Sequence, residues 1–252
     1  MKRILVLLML LFLTGCQLED ELMIATTTSL DNSGLLAELI PVFEEEYGVN
    51  VSVVAVGTGA ALELGRSKDA DILLVHAKDK EIEFVEEGYG DKREFIMYND
   101  FVFIGPEKID SDNLEGALNK IKAGLDFYSR GDNSGTHMKE LSLWETISYV
   151  PKGDWYKETG KGMGDTILMA DLALGYTFTD RGTFLSMKDN LEIDIAYENT
   201  EELINEYGVI FVTDCTNPKA ADKFYDWIQS KEAKEIVDSY IKYGEQLFYS
   251  AD

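Results

Sequence analysis

The segment at residues 127–140, FYSRGDNSGTHMKE, brings together side chains suited to holding an anion. A short apolar stretch is followed by Arg130 and by the small polar residues Ser134, Gly135 and Thr136, after which a helical pattern begins. The first turn of a helix has unpaired backbone N–H groups and carries partial positive charge. A guanidinium and hydroxyls placed there can replace the water around an oxyanion. The segment therefore predicts one wall of an anion site.

Two further polar turns follow apolar stretches in the N-terminal part of the chain. One contains Thr27, Thr28 and Ser29, which is more hydroxyls than a helix cap requires. In the other, Thr58 stands between two glycines, the second being Gly59. This turn lacks the third glycine of a dinucleotide-binding loop and suits the close approach of a small ligand. Both turns are predicted to contact the anion.

A fourth turn, residues 180–183, has the sequence Asp-Arg-Gly-Thr. Arg181 and Arg130 thus both sit beside an aspartate at the end of an apolar stretch. If either faces a cleft, its planar guanidinium can bind two oxygens of a tetrahedral dianion at once. The alternative for Arg130 is a surface ion pair with Asp132, which would contribute little to the stability of the fold.

An exported serine hydrolase is the alternative from a different class, with Ser134 as nucleophile and His137 as base. The spacing argues against it, because a serine, a histidine and Asp132 within six residues of one helix start do not easily adopt the geometry of a catalytic relay. The chain has two histidines and two cysteines without clustered spacing, so no transition-metal cation site is expected. No cofactor and no enzymatic activity are predicted.

Strand and helix patterns alternate along the chain, which predicts an α/β fold with a mostly parallel sheet. In such a sheet ligands bind at the carboxyl ends of the strands, where all four polar turns would lie. The predicted strands are 22–25, 49–56, 71–75, 95–104, 126–128, 175–179 and 209–212. The predicted helices are 35–47, 60–64, 80–86, 114–123, 138–144, 166–174, 184–187 and 219–230.

Two segments are predicted to cross between lobes, one around Asn99 and the other around Tyr207. Crossing twice would give a discontinuous lobe I from residues 16–100 and 206–252 and a lobe II from residues 101–205. A central cleft would separate them.

The N-terminus indicates export. Two basic residues and a short apolar run precede Leu-Thr-Gly-Cys, which resembles a lipoprotein processing site. Residues 1–15 are therefore predicted to be a signal peptide, and Cys16 to be acylated and to anchor the protein to the membrane outside the cytoplasm. Cys215 then has no partner, and no disulfide is expected. The formal net charge of −24 disfavours nucleic acid as a partner, and a monomer is the default expectation.

Seven motifs, in order, resemble the TupA family, the tungstate-binding lipoproteins of bacterial ABC importers. They are ATTTS at 25–29, VGTGA at 56–60, DADILLVH at 69–76, MYNDFVFIGP at 97–106, SRGDNSGTH at 129–137, WYKETGKGMG at 155–164 and YTFTDRGT at 176–183.

The resemblance implies a type II periplasmic-binding-protein fold, in which two α/β lobes close on one tetrahedral oxyanion without catalysis. It implies tungstate as the ligand and ABC permease subunits as partners. Molybdate is the first alternative, with sulfate and phosphate behind it, because size and charge do not separate tungstate from molybdate. Carried over by motif, the ligand-binding residues are Thr27, Thr28, Ser29, Thr58, Gly59, Arg130, Ser134, Gly135, Thr136 and Arg181.

Overall fold

The computed structural model describes residues 20–251. The predicted signal peptide at 1–15 and the predicted lipidation site Cys16 lie outside these residues. Across the described part of the chain, none of the helices has the length and apolar character needed to span a membrane.

Three parallel strands and four helices form the N-terminal part of the fold. Strand β1 (Asp20–Thr27) pairs in parallel with both β2 (Val49–Val56) and β3 (Ile72–Val75). The helices are α1 (Thr28–Ser33), α2 (Leu36–Tyr47), α3 (Thr58–Arg66) and α4 (Lys78–Glu86). Helix α2 buries one apolar face and ends at Gly48, whose φ of 62° favours glycine. The parallel pairing brings the turns after β1, β2 and β3 to one edge of the sheet.

The middle of the chain repeats this plan. Strand β5 (Phe127–Ser129) pairs in parallel with β6 (Tyr156–Glu158) and β7 (Tyr176–Asp180). The helices are α5 (Leu114–Lys122), α6 (Gly135–Thr146), α7 (Met163–Leu172) and α8 (Arg181–Met187), and a 3₁₀ turn at Lys188–Asn190 leads to strand β8 (Asp194–Glu198). Here too the turns after parallel strands meet at one edge.

Two antiparallel strands connect the two parallel groups. Strand β4 (Gly90–Gly105) pairs with β9 (Ile204–Val212) as far as Asp100, and its remaining residues pair with β7 and β8. Strand β9 also pairs antiparallel with β3. The predicted mostly parallel sheet is therefore corrected: parallel pairing is confined to the flanking groups. The centre is antiparallel because the chain crosses it along β4 in one direction and returns along β9 in the other.

The C-terminal segment returns to the N-terminal part. It contains α9 (Pro218–Trp227), α10 (Lys231–Ser239) and the short strands β10 (Ile241–Lys242), β11 (Glu245–Gln246) and β12 (Tyr249–Ser250). Strand β12 pairs with Met97 and Tyr98 of β4. The Phe224 ring of α9 packs edge-on against Phe43 of α2, with centroids 5.0 Å apart. These contacts tie the chain end to the first helices and to the central strand.

Two buried hydrophobic clusters lie on opposite faces of the second half of β4. Val102 and Ile104 belong to the cluster that also fills the N-terminal part, whereas Phe101 and Phe103 pack in a second cluster with Trp144. Alternate side chains of a strand point to opposite faces, which explains the division. The lobe boundaries at residues 100 and 206 stay a prediction.

Candidate anion-binding cleft

The turn from β1 into α1 presents hydroxyls. Thr27 caps α1, since its hydroxyl accepts from the N–H of Leu30 at 3.4 Å and lies 3.1 Å from the Ser29 hydroxyl. Thr26 differs, because its buried hydroxyl donates to a backbone carbonyl of β3 at 2.8 Å. Thr28 is exposed and Ser29 is half-buried. Of the three consecutive threonines, one therefore supports the sheet and two stand at the helix start.

Thr58 supplies a hydroxyl that no described residue binds. It is the first residue of α3, whose start has no side-chain cap. Its Oγ1 is buried and forms no hydrogen bond with any described residue. A Cβ built on Gly135 would lie 3.7 Å from this oxygen, so the start of α3 faces the start of α6. A buried hydroxyl without a partner is costly, and a ligand oxygen at this position would remove that cost.

Arg130 lies in the turn after β5 and is held by Asp132. The Arg130 Nε and Nη2 atoms donate to Oδ2 of Asp132 at 3.1 and 2.5 Å. The other carboxylate oxygen accepts from the N–H of Ser134 at 3.1 Å. Burial alone would raise the pKa of Asp132, but hydrogen bonds from Ser134 and Arg130 outweigh it and hold the pKa below its usual value. The ion pair therefore exists, and it orients the guanidinium beside the start of α6.

Helix α6 begins at the cleft with small residues. The Ser134 hydroxyl caps it by accepting from the N–H of His137 at 3.3 Å. Gly135 lies so close to His76 that an added Cβ would be 3.0 Å from the ring Cε1. Thr136 is buried in the first turn. Glycine at position 135 therefore allows the start of α6 to approach His76 on the opposite side of the cleft.

These turns enclose one cleft with a volume of about 620 Å³. Nine of the ten predicted ligand residues line it: Thr27, Thr28, Ser29, Thr58, Gly59, Arg130, Ser134, Gly135 and Thr136. Helices α1, α3, α6 and α7 begin at this cleft, and α8 has its N-cap residue there. Helix starts offer N–H donors and partial positive charge, and so the cleft suits an anion rich in acceptor oxygens.

Arg181, the tenth predicted residue, requires a correction. Its guanidinium does not line the cleft: it binds Asp100 through Nε and Nη2 at 2.6–3.1 Å and Glu198 through Nη2 at 2.8 Å. The hydrogen bonds to Asp100 raise its pKa above the ordinary value, although burial opposes them. In the same turn, the Asp180 carboxylate does face the cleft and accepts from the N–H and hydroxyl of Thr183. The planar fork is already occupied by carboxylates of the protein.

Several lining residues were not predicted from the sequence. They are Asn32, His76, Lys80, Gly162, Met163, Gly164, Asp180 and Thr183. The glycine-rich run around Lys161 was a visible signal for a tight loop at the start of α7. His76 directly follows an apolar strand, as the hydroxyl turns do, and this position was the only sequence signal for it.

Among residues 20–251, the contacts of Ser134 and His137 do not form a serine-hydrolase geometry. The His137 ring accepts from the N–H of Asn133 through Nδ1 at 3.0 Å, and the Ser134 hydroxyl accepts from the backbone N–H of His137 and not from its ring. A nucleophile needs a base within hydrogen-bond reach of its oxygen. Within residues 20–251, no group of three or more His, Cys, Asp or Glu side chains is placed to hold a metal ion.

Comparisons with known proteins decide the family. Residues 17–232 match the PBP superfamily domain. The tungstate-binding protein TupA of Peptoclostridium acidaminophilum is 43% identical over 281 residues, covering 98% of this chain and 98% of that protein. The chain belongs to the TupA family.

Solved structures of TupA proteins share this fold. The tungstate binding protein TupA from Desulfovibrio alaskensis superposes with a TM-score of 0.85 at 42% identity, covering 92% of this chain and 99% of that one. A structure described as the tungstate ABC transporter from Geobacter sulfurreducens has a TM-score of 0.79 at 40% identity, covering 88% and 99%. The predicted α/β fold of a periplasmic binding protein is confirmed.

Proposed function

We propose that this chain is the extracytoplasmic solute-binding receptor of an ABC importer and binds tungstate in the cleft. The observation that carries the proposal is the convergence of helix starts, the Thr58 hydroxyl and Arg130 on one cavity. The family adds the ion, since its members include proteins named for tungstate binding. No catalytic step and no cofactor are part of the proposal.

Donor groups rather than the overall charge hold the ion. The chain carries a formal charge of −24, so long-range attraction does not favour an anion. Removing a dianion from water is expensive unless hydrogen bonds replace its hydration. The proposed ligands supply hydroxyls from Thr27, Thr28, Ser29 and Thr58, first-turn N–H groups from Gly59, Gly135 and Thr136, and the Arg130 Nη N–H groups that Asp132 does not hold.

Closure of two lobes is the proposed mode of capture. The hydroxyl turns at 27–29 and at Thr58 belong to the proposed lobe I, and Arg130 with Ser134 to the proposed lobe II. Donors from both walls line the same cleft of about 620 Å³, so one ion can bond both lobes at once. An ion that bonds both lobes favours the closed form, and the crossings around Asn99 and Tyr207 would act as hinges.

The setting of the receptor is also a proposal. Residues 1–15 would direct export, and acylation of Cys16 would anchor a monomer at the outer face of the cell membrane. There it would deliver the ion to the permease subunits.

Titration calorimetry of the chain from Gln17 onward, with tungstate, molybdate, sulfate and phosphate in turn, tests the function. Tight binding of tungstate is expected, and competition with molybdate decides between the two ions. Absence of tight binding to all four would contradict the proposal. Ester or peptide hydrolysis that is lost in Ser134→Ala would favour the hydrolase alternative instead.

A further inference from the structure

His76 stands where both walls of the cleft meet. Its Nε2 lies 3.5 Å from the Ser29 hydroxyl, and its ring stacks on Tyr207 with centroids 5.0 Å apart. A Cβ built on Gly135 would be 3.3 Å from the same Nε2. This edge of the imidazole therefore faces the starts of α1 and α6, which we assign to the anion.

Asn205 determines which ring nitrogen carries the proton. Its side-chain Nδ2 donates to Oδ1 of Asn99 at 2.7 Å, so its own Oδ1 is the atom that meets His76 Nδ1 at 2.9 Å. A carbonyl oxygen only accepts, and Nδ1 of the neutral ring is therefore the protonated nitrogen. Nε2 then presents a lone pair at a place where an oxyanion needs a donor.

The charged side chains that line the cleft offer a dianion no net positive charge. Lys80 and Arg130 are matched by Asp132 and Asp180 among the described lining residues. Only the partial charges of the helix starts remain to balance the two charges of the ion. His76 is the lining group that can add a positive charge near neutral pH by binding a proton.

The groups around His76 allow that change of charge. From α4 they are Lys78, Asp79 and Lys80, from α6 Lys139 and Glu145, from β9 Glu206 and Tyr207, and from the end of β7 Asp180. Lys78 pairs with Glu206 at 2.9 Å. Burial holds the pKa of His76 below its usual value, while the Asn205 bond and the Asp180 carboxylate oppose this. The ring is thus neutral near pH 7 without an anion, and a dianion beside it favours the protonated form.

We propose that His76 is a further binding residue, which takes up a proton from solvent at Nε2 when the dianion binds and then donates a hydrogen bond to it. This inference rests on the proposed function. The protein would bind tungstate and a proton together. Linkage then requires tungstate affinity to increase as pH falls, by up to about tenfold per pH unit.

The test is titration calorimetry with tungstate between about pH 6 and about pH 8, in pairs of buffers that differ in ionisation enthalpy and contain no phosphate or sulfate. The dependence of the measured enthalpy on the buffer counts the protons taken up. We expect uptake in the wild type, none in His76→Gln, and unchanged uptake in His137→Gln, which replaces the other histidine of the chain. Perrhenate, a tetrahedral ion with a single charge, should cause little uptake.

Nitrogen NMR of the two imidazole rings gives a second readout that needs no His76 variant. Addition of tungstate near pH 7 should convert one ring to the imidazolium pattern, and His137→Gln should retain that change. Binding without proton uptake in the wild type, or equal uptake in His76→Gln, would overturn the inference while leaving the receptor function intact. Absence of tungstate binding would instead count against the proposed function.

Discussion

At the scale of single residues, the two arginine turns differ in what already binds them. Arg130 is paired through Nε and Nη2 with one neighbour in its own turn and lines the cleft, whereas Arg181 is surrounded by Asp100, Glu198 and, at 3.8 Å, Glu245. The sequence shows the same Asp, Arg and Gly chemistry at both sites. Only the distant carboxylate partners, 81 residues away in the case of Asp100, separate them.

Arg130→Ala should weaken tungstate binding by about 1.5–3 kcal/mol, the scale of a hydrogen bond to a charged group. The loss has two causes, because the substitution removes the fork and leaves Asp132 unpaired in the cleft. Calorimetry measures it. Arg66→Ala is the matched control, since Arg66 pairs with Glu63 and Glu87 away from the cleft. An unchanged affinity in Arg130→Ala would mean that this guanidinium serves only its ion pair.

Arg181→Met should lower the stability of the protein and leave its affinity for tungstate nearly unchanged. Asp100 is only 4% exposed, and removing the partner of a buried charge typically costs about 3–5 kcal/mol. Urea unfolding should therefore report a large loss of stability, whereas the folded variant should bind tungstate with nearly normal affinity. A loss of tungstate affinity at unchanged stability would instead indicate that Arg181 binds the anion.

Glu140 is a buried carboxylate below the Arg130 turn. It accepts from the Ser129 hydroxyl at 2.6 Å, from Trp144 Nε1 at 3.0 Å and from the Tyr156 hydroxyl at 2.8 Å. Burial raises its pKa to about 7, although these bonds lower it. The folded protein thus keeps a proton that the unfolded chain releases at lower pH. Its contribution to stability is full below the unfolded-state pKa and is lost as pH rises through about 7.

Glu140→Gln should flatten this pH dependence, because the amide does not titrate. Between about pH 5 and about pH 8, the wild type should lose on the order of 2–3 kcal/mol more unfolding free energy than the variant. Urea titrations of both proteins at the two pH values measure the difference. Parallel pH profiles would show that the carboxyl titrates near its ordinary value.

At the scale of elements, the sequence predicts those strands and helices whose residues repeat clearly. The valine-rich strand at 49–56 is observed with the same bounds as β2, and the helix at 35–47 is observed as α2. Strands β6 and β8 and helix α10 were not predicted. A three-residue strand such as β6 has no period to detect, and its pairing with β5 depends on tertiary contacts.

The same reasoning explains how far the candidate site was predictable. Hydroxyl turns after neighbouring parallel strands must meet at one edge, so Thr27 and Thr58 could be placed together from the sequence. Ser134 follows a strand of the other parallel group, and its place opposite them depends on the antiparallel central strands. His76 follows β3, which is parallel to β1, so its position was a sequence signal of the same kind. The direction of the Arg181 side chain depends on packing between distant segments, and no local pattern encodes it.

Gly135→Ala tests the close approach between α6 and β3. Alanine favours a helix, but the new Cβ would lie 3.0 Å from the His76 ring, which Asn205 and Tyr207 hold in place. Such overpacking typically costs about 1–3 kcal/mol, measurable by urea unfolding. Gly59→Ala is the matched control, since it also lies in a first turn at the cleft and an added Cβ there meets nothing within 4 Å. Equal stability of the two variants would show that the walls separate freely.

At the scale of the whole molecule, the proposed capture requires the two walls to move together. An ion that bonds Thr58 on one side and Arg130 on the other stabilises the closed form by its additional contacts there. The same contacts are absent from the unfolded chain. Tungstate should therefore both compact the protein and raise its unfolding temperature.

Both effects can be measured on the same samples. Small-angle X-ray scattering should show a smaller radius of gyration with saturating tungstate. The free energy of unfolding should rise by about 2.7 kcal/mol when the free tungstate concentration is a hundred times the dissociation constant. Arg130→Ala should need more tungstate for each effect. Perrhenate should give smaller effects, because it has the shape of the ion with half its charge. Stabilisation without compaction would mean that the cleft is preformed, and the Asn99 and Tyr207 crossings would then be rigid supports of the site instead of hinges.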